Sequence, residues 1–467
     1  MTGASPAAAR PAAHPWAVLA STGMAVFAVF LDTTILFVAF SAIGRDFSDV
    51  TTASLSWVLN AYTIVFAAAL IPAGRLADRI GRRRTFMAAV VIFTLASMLC
   101  GSATTVPWLV FARALQALGA AALVPSSLAL VLQTFPKPKI PAAVAIWGAV
   151  GAVAGAVGPT LGALVVEGAG WRWAFYINLP VGVLSLLLAR RVLPEGRESR
   201  TGPLPDMLGA VLLVAALASM AFAIVQTESW GWASTAFLAT LGTSLVLLAS
   251  FVARCARVDN PLFDLRLFAS SAFRWGNSAM FVFSIGFSAM FLGNVLFFTR
   301  VWGYTLVQAG LAVSVGPLIV AVTAPLFGRL AGRIGQRTLL LPGGLVWASG
   351  GLLLLATATT TPNYLAHYLP AVALTGLGVS LCLPQLSSAS VQGLPPDSFG
   401  AGSAVNQAVR NLGATLGVAL AIAFTSDLTR TTMLAGFHRV WWLLAASGLV
   451  VTLLSALLPR RASAATA

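Results

Sequence analysis

The sequence predicts an all-α integral membrane protein: two six-helix bundles related as parallel repeats, plus two inserted transmembrane helices, about 14 spans in total. Three observations carry this. Apolar residues make up 58% of the 467 and charged ones only 9%, too little charge for the surface of a soluble protein of this length. Apolar runs near twenty residues recur along the whole chain, each long enough to cross about 30 Å of hydrocarbon as a helix. Finally, Gly74-Arg75-Leu76-Ala77-Asp78-Arg79-Ile80-Gly81 returns 254 residues later (328 minus 74) as Gly328-Arg329-Leu330-Ala331-Gly332-Arg333-Ile334-Gly335. Only Asp78 against Gly332 differs.

The spans follow in order. The first, 17–42, comes after an Ala- and Pro-rich start (1–16) expected to be disordered. That start does not read as a removable signal, because the apolar run behind it is too long and contains Asp32. Spans 54–75, 85–104, 107–133, 141–166 and 173–191 complete the first bundle, 17–200. The first copy of the repeat follows span two and the second follows span ten, an offset of eight spans and not six. Spans 206–226 and 235–254 are therefore read as an insert, 201–256, entered through the basic linker Arg190–Arg200. A second linker, Arg254 to Arg274, carries Asn260-Pro261-Leu262-Phe263 and is expected along the inner membrane face. Spans 272–298, 304–327, 338–357, 363–390, 400–426 and 437–459 form the second bundle, 257–459, before a tail of 460–467.

The net charge of +15 could suggest nucleic acid, but its placement reads as topology. With the N-terminus inside, five of the 28 Lys and Arg (Arg45, Arg172, Arg300, Arg430, Arg439) fall outside and two (Arg113, Arg410) within spans. The remaining 21 fall in cytoplasmic segments, so both termini are expected in the cytoplasm. Lysine occurs only at 137 and 139 beside abundant Ala and Gly, a bias that points to a GC-rich bacterium and hence to a bacterial cytoplasmic membrane. Cys100, Cys255 and Cys382 are scattered, which suggests neither a disulfide framework nor a metal site, and no cofactor is expected.

Several segments carry mechanism. In Gly74–Arg84 the glycines permit a sharp turn between helices, and a carboxylate such as Asp78 can cap a neighbouring helix N-terminus and pair with arginine. Such a contact, involving Gly74, Asp78, Gly81 and Arg82, would latch the inner ends of the two bundles. Span five carries Gly148, Gly151, Gly155, Gly158 and Gly162 at spacings 3, 4, 3, 4, a small-residue stripe for close packing, with Pro159 set to weaken that turn. Asp32 is the only acid deep in any span. A charge there costs about 2.5–3.5 kcal/mol on insertion scales, so it should be protonatable or paired. Helical rise places Arg113 of span four close enough in depth to be its partner. A proton reaching Asp32 would then release Arg113; a fixed structural pair is the competing reading. Arg410 is the third buried charge, read as packing or latch in preference to substrate contact. Thr33, Gln116, Trp147, Phe298 and Gln385 are cavity candidates, with packing roles equally open.

These segments resemble those of the major facilitator superfamily, and of its fourteen-helix drug:proton antiporter branch, over nearly the whole chain. Gly74–Arg84 is similar to the family's loop motif, in which the residue matching Asp78 helps hold the outward-open form. Gly158-Pro159-Thr160-Leu161-Gly162 resembles the antiporter motif, and Leu109–Gln116 the fourth-helix motif, with Ala117 where Gly is usual. Trp171–Gly182 looks like the branch's entry to span six, and Leu31-Asp32-Thr33-Thr34-Ile35 like its first-helix motif, with Phe37 and Ser41 in place of the usual Asn and Pro. Asn406–Gly413 is similar to its Arg-x-x-Gly run in span thirteen.

The resemblance implies a monomeric, proton-coupled secondary exporter of drugs, antibiotics or amphiphilic metabolites, with protons, bilayer and small amphiphile as its partners. No Gly-x-x-x-x-Gly-Lys-Ser/Thr loop for ATP phosphates occurs. One deep acid against two deep arginines equips the cavity poorly for dications and favours a neutral, anionic or zwitterionic substrate, with a monocation left open. Export of an amino acid or sugar, or a non-transporting sensor on the same scaffold, stand as alternatives. An enzyme is disfavoured because His14, His367 and His438 lie far apart near ends or loops.

Overall fold

The computed structural model describes residues 14–136, 139–193, 206–392, 394, 399–425 and 433–459. Most of 1–16, the end of the linker Arg190–Arg200 and the tail 460–467 lie outside the described residues. The first half runs α1 (Pro15–Asp46), α2 (Thr52–Ile80), α3 (Arg82–Gly101), α4 (Val106–Thr134) and α5 (Ile140–Ala169). It ends in the short α6 (Trp173–Tyr176) and α7 (Asn178–Val192). Then come α8 (Met207–Val225), the single turn α9 (Thr227–Trp230) and α10 (Thr235–Arg257). The second half comprises α11 (Ser271–Arg300), α12 (Leu306–Ile334), α13 (Gln336–Thr357), α14 (Leu369–Val391), α15 (Phe399–Thr425) and α16 (Met433–Ala456). Fourteen helices are long and apolar enough to cross a membrane, with no strand among the described residues.

Local chemistry sets the helix ends. Hydroxyls of Thr51, Thr105, Ser234 and Ser270 accept from the first free N–H groups of α2, α4, α10 and α11. Thr305 and Gln308 form a reciprocal capping box at α12. Both copies of the repeated phrase end in a glycine with positive φ, Gly81 at 116° and Gly335 at 88°. Each glycine closes one helix and opens the next in a conformation a Cβ would oppose. Two spans differ from the sequence expectation. Span six breaks at Ile177 into α6 and α7, and span twelve opens with a π-helical turn, Tyr364–Tyr368. Hydropathy averages over such local breaks and cannot report them.

The repeat extends to packing. In the first half α1 packs on α5 and α7, and α4 on α2 and α3; in the second α11 packs on α15 and α16, and α14 on α12 and α13. The halves meet through crossed equivalents, α2 with α15 and α5 with α12. The inserted pair packs mainly on itself: Ser244 donates to the Ala216 carbonyl at 2.7 Å, and Arg254 pairs with the buried Asp206 at 2.8 Å. Because α8 also touches α2 and α15, the insert lies beside the seam between halves.

Candidate functional site

Asp32 lies in the core of the first half, where α1, α3, α4 and α7 converge. Its carboxylate is 1% exposed and Arg113 is 2% exposed. Arg113 Nη1 donates to Asp32 Oδ2 at 2.6 Å and to Gln116 Oε1 at 2.6 Å. Its Nε donates to the Val58 carbonyl at 3.2 Å, and its guanidinium carbon sits 4.0 Å from the Tyr62 ring centroid. On the other side of the carboxylate, Gln116 Nε2 and Asn178 Nδ2 each donate to Asp32 Oδ1 at 2.9 Å. Gln116 Nε2 also reaches Ser97 Oγ at 2.8 Å. A buried charge pair is tolerable when its remaining hydrogen-bonding capacity is filled in this way. A proton placed on either carboxylate oxygen would take an acceptor away from Arg113 or from the two amides.

Ser97, Tyr62 and Asn178 were not anticipated as members. Asn178 carried a signal: it opens an apolar helix inside the quoted segment Trp171–Gly182, and a buried amide requires partners. Gln116, a cavity candidate from sequence, is fully buried in this cluster, with its amide spent on Asp32, Ser97 and Arg113.

The second feature is a one-sided cleft between the halves. Away from the repeated glycine turns, α5 and α12 are in contact: Thr160 and Ser314 share a 2.7 Å hydrogen bond, and Glu167 accepts from the Val307 N–H at 2.9 Å. Phe37 of α1 lies against Phe291 of α11, with ring centroids 5.1 Å apart. Toward the turns the same helices part. No residue of α12 between Val313 and Ala331 is buried, and exposure of α5 likewise rises on the turn side of Gly158. The cleft is closed at one end and open at the end bearing the basic repeat.

The other sequence-derived residues distribute as follows. Gly151, Gly158 and Gly162 face Phe30, Thr34 and Ile35 of α1, but Gly148 and Gly155 have open space where a Cβ would be. At 100° per residue these two are turned about 60° and 40° from Gly151, to the edge of the stripe. Pro159 sits at the close approach to α12, its carbonyl against Gly310. Asp78 pairs with Arg82 at 3.1 Å, four residues on in its own segment, and not with the second half. Arg75 of the first copy donates through its guanidinium to the carbonyls of Asn260 and Pro261 at 2.9 and 2.7 Å. Gly74 packs toward Pro125. Thr33 is half-buried and bonds back to the Val29 carbonyl; half-buried Trp147 donates to Ser127 Oγ at 3.0 Å. Phe298 is fully buried among Trp302, Tyr304, Tyr364 and Tyr368, so it does not line the cleft. Gln385 is buried, with its Nε2 unpaired. Arg410 is half-buried in α15.

Comparison with known proteins agrees with this fold. The Major Facilitator Superfamily profile matches residues 22–273 and 277–466. Multidrug resistance protein Stp of Mycobacterium tuberculosis is 36% identical over 403 residues, 86% of this chain and 74% of that protein. The tetracenomycin C resistance and export protein of Streptomyces glaucescens is 30% identical, covering 87% of this chain and 75% of its own length. The puromycin resistance protein pur8 of Streptomyces alboniger is 34% identical, covering 84% and 78%. Among solved structures, a D-xylose–proton symporter superposes with a TM-score of 0.69 at 15% identity, covering 95% of this chain and 98% of that one.

Proposed function

The chain belongs to the major facilitator superfamily and is a multi-pass membrane transporter, not an enzyme, and we propose that it exports amphiphilic small molecules, antibiotics among them, in exchange for protons. The names of its relatives support drug export, and the sealed Asp32–Arg113 pair beside a one-sided cleft is the observation that carries the coupling mechanism. In this reading the basic end faces the cytoplasm, both termini lie there, the protein works as a monomer, and the conformation described is inward-open. The two halves rock about the cleft. Opening of the opposite end loosens the first half around α1 and α4, so that Asp32 takes a proton from outside and gives up Arg113. Return to the inward-open form expels the proton and restores the pair. Gly151, Gly158 and Gly162 hold α1 and α5 together as one body. Gly74, Asp78, Gly81 and Arg82 act at the inner ends when the cleft closes there.

The test is reconstitution in liposomes with an imposed pH gradient and puromycin or a comparable amphiphile as cargo. Gradient-dependent uptake by inverted protein, with substrate-driven proton movement, is the expected result. Gradient-independent flux, or none for any amphiphile tried, would refute the reading.

A further inference from the structure

We propose that Arg410 is a binding site for the anionic group of an amphiphilic ligand, in first place a carboxylate. It sits eleven residues past Phe399, roughly 16 Å along α15 and so near mid-membrane. No hydrogen bond or ion pair joins it to any described residue, and its nitrogens are not among the occluded ones. Nor is there a spare counter-charge at that depth among the described residues. Of the described Asp and Glu, Asp32 alone lies deep in a span and is taken by Arg113; the others fall at helix ends or between helices. A guanidinium in that position is costly unless an anion reaches it.

Its direction follows from its neighbours. Gly413 and Gly417 of α15 pack on the α11 backbone, and Thr415 donates to Thr63 Oγ1 of α2 at 2.8 Å. Between those two faces runs the arc Ser403, Gln407, Arg410, Ala414, Ala421. Along it exposure falls steadily: Ser403 is exposed, Gln407, Arg410 and Ala414 half-buried, Ala421 fully buried. The opposite arc, Leu412, Leu416 and Leu420, is as half-buried but wholly apolar, as a lipid face requires, so the polar arc is assigned to the cleft, with its exposed end toward the basic side. Its partner surface at the closed end is apolar, Phe37 on Phe291. A charged head at Arg410 with an apolar body toward that floor is the ligand this arrangement accepts. A latch role is disfavoured because, among the described residues of the opposing half, the one carboxylate deep in a span is Asp32, which Arg113 already holds.

The proposal deepens the exporter reading by naming a substrate class, but the binding it predicts does not depend on transport. Full-length protein in nanodiscs of zwitterionic lipid is titrated with dansylglycine and with its neutral methyl ester, followed by dansyl fluorescence. The wild type should prefer the anion. Arg410→Gln should weaken dansylglycine roughly tenfold to a hundredfold and leave the ester unchanged, with Arg410→Lys in between. Equal affinity of the wild type for both probes would overturn the proposal without any variant, as would a parallel loss of both probes in folded Arg410→Gln. If phosphatidylglycerol in the disc competes with dansylglycine in the wild type, the anion site stands and a lipid headgroup is its occupant. Charge-selective binding without transport of any probe would sink the exporter reading alone; transport of both probes with no charge preference would sink this one alone.

Discussion

Replacing Asp32 by Asn tests the site most sharply, because the exchange keeps the shape and removes the charge. Asp32 Oδ2 accepts from Arg113 and Oδ1 from both Gln116 and Asn178. An asparagine must turn its NH₂ toward one of those sides, setting donor against donor. Arg113 would keep only Gln116 Oε1 and the Val58 carbonyl in a site sealed from water. Breaking a buried pair by removing one partner costs about 3–5 kcal/mol, most of it the orphaned charge. Asp32→Asn combined with Arg113→Met should recover part of that loss, and the double-mutant cycle should return a coupling of about 1–3 kcal/mol. Denaturant unfolding in detergent measures the stability term, and substrate-driven proton flux in liposomes measures coupling. Both variants should bind substrate and fail to move protons. A single variant as stable as wild type would show that the pair carries no stabilising weight; unchanged proton flux would remove Asp32 from the mechanism altogether.

Further outcomes follow from the same geometry. Gly162→Ala places a Cβ about as close as 2.9 Å to Ile35 and should destabilise by about 1–3 kcal/mol, whereas Gly155→Ala meets open space and should be tolerated in the same thermal assay. Gly81→Ala and Gly335→Ala force a Cβ into a nearly glycine-only backbone region, so each should lose about 1–3 kcal/mol, and similar losses at the two sites would show the repeat in energetic form. Asp78→Asn removes an exposed pair and should change stability by no more than about 0.5 kcal/mol; if the inner latch operates, transport falls nonetheless. At one proton per anion, export of dansylglycine moves two charges, so a valinomycin-set potassium potential should accelerate it and leave the methyl ester less affected.

The sequence alone determined the span number, the repeat and the identity of the deep charges, because hydropathy and charge are properties of a residue and its near neighbours along the chain. Asp32 and Arg113 could even be matched in depth, since rise per residue is fixed once a helix is granted. The surroundings of that pair were another matter. Asn178 and Ser97 reach it from α7 and α3, and Gln116 turns inward to join them, because helix rotation within a bundle is set by the packing of every neighbour. Phe298 reads identically from sequence whether it faces cargo or other rings, and only the second half's aromatic cluster placed it. Asp78 and Arg410 depended on something beyond packing, namely which end of the cleft stands open. That is a property of the relation between the halves, and it left Asp78 paired with its own neighbour Arg82 and Arg410 without a counter-ion among the described residues.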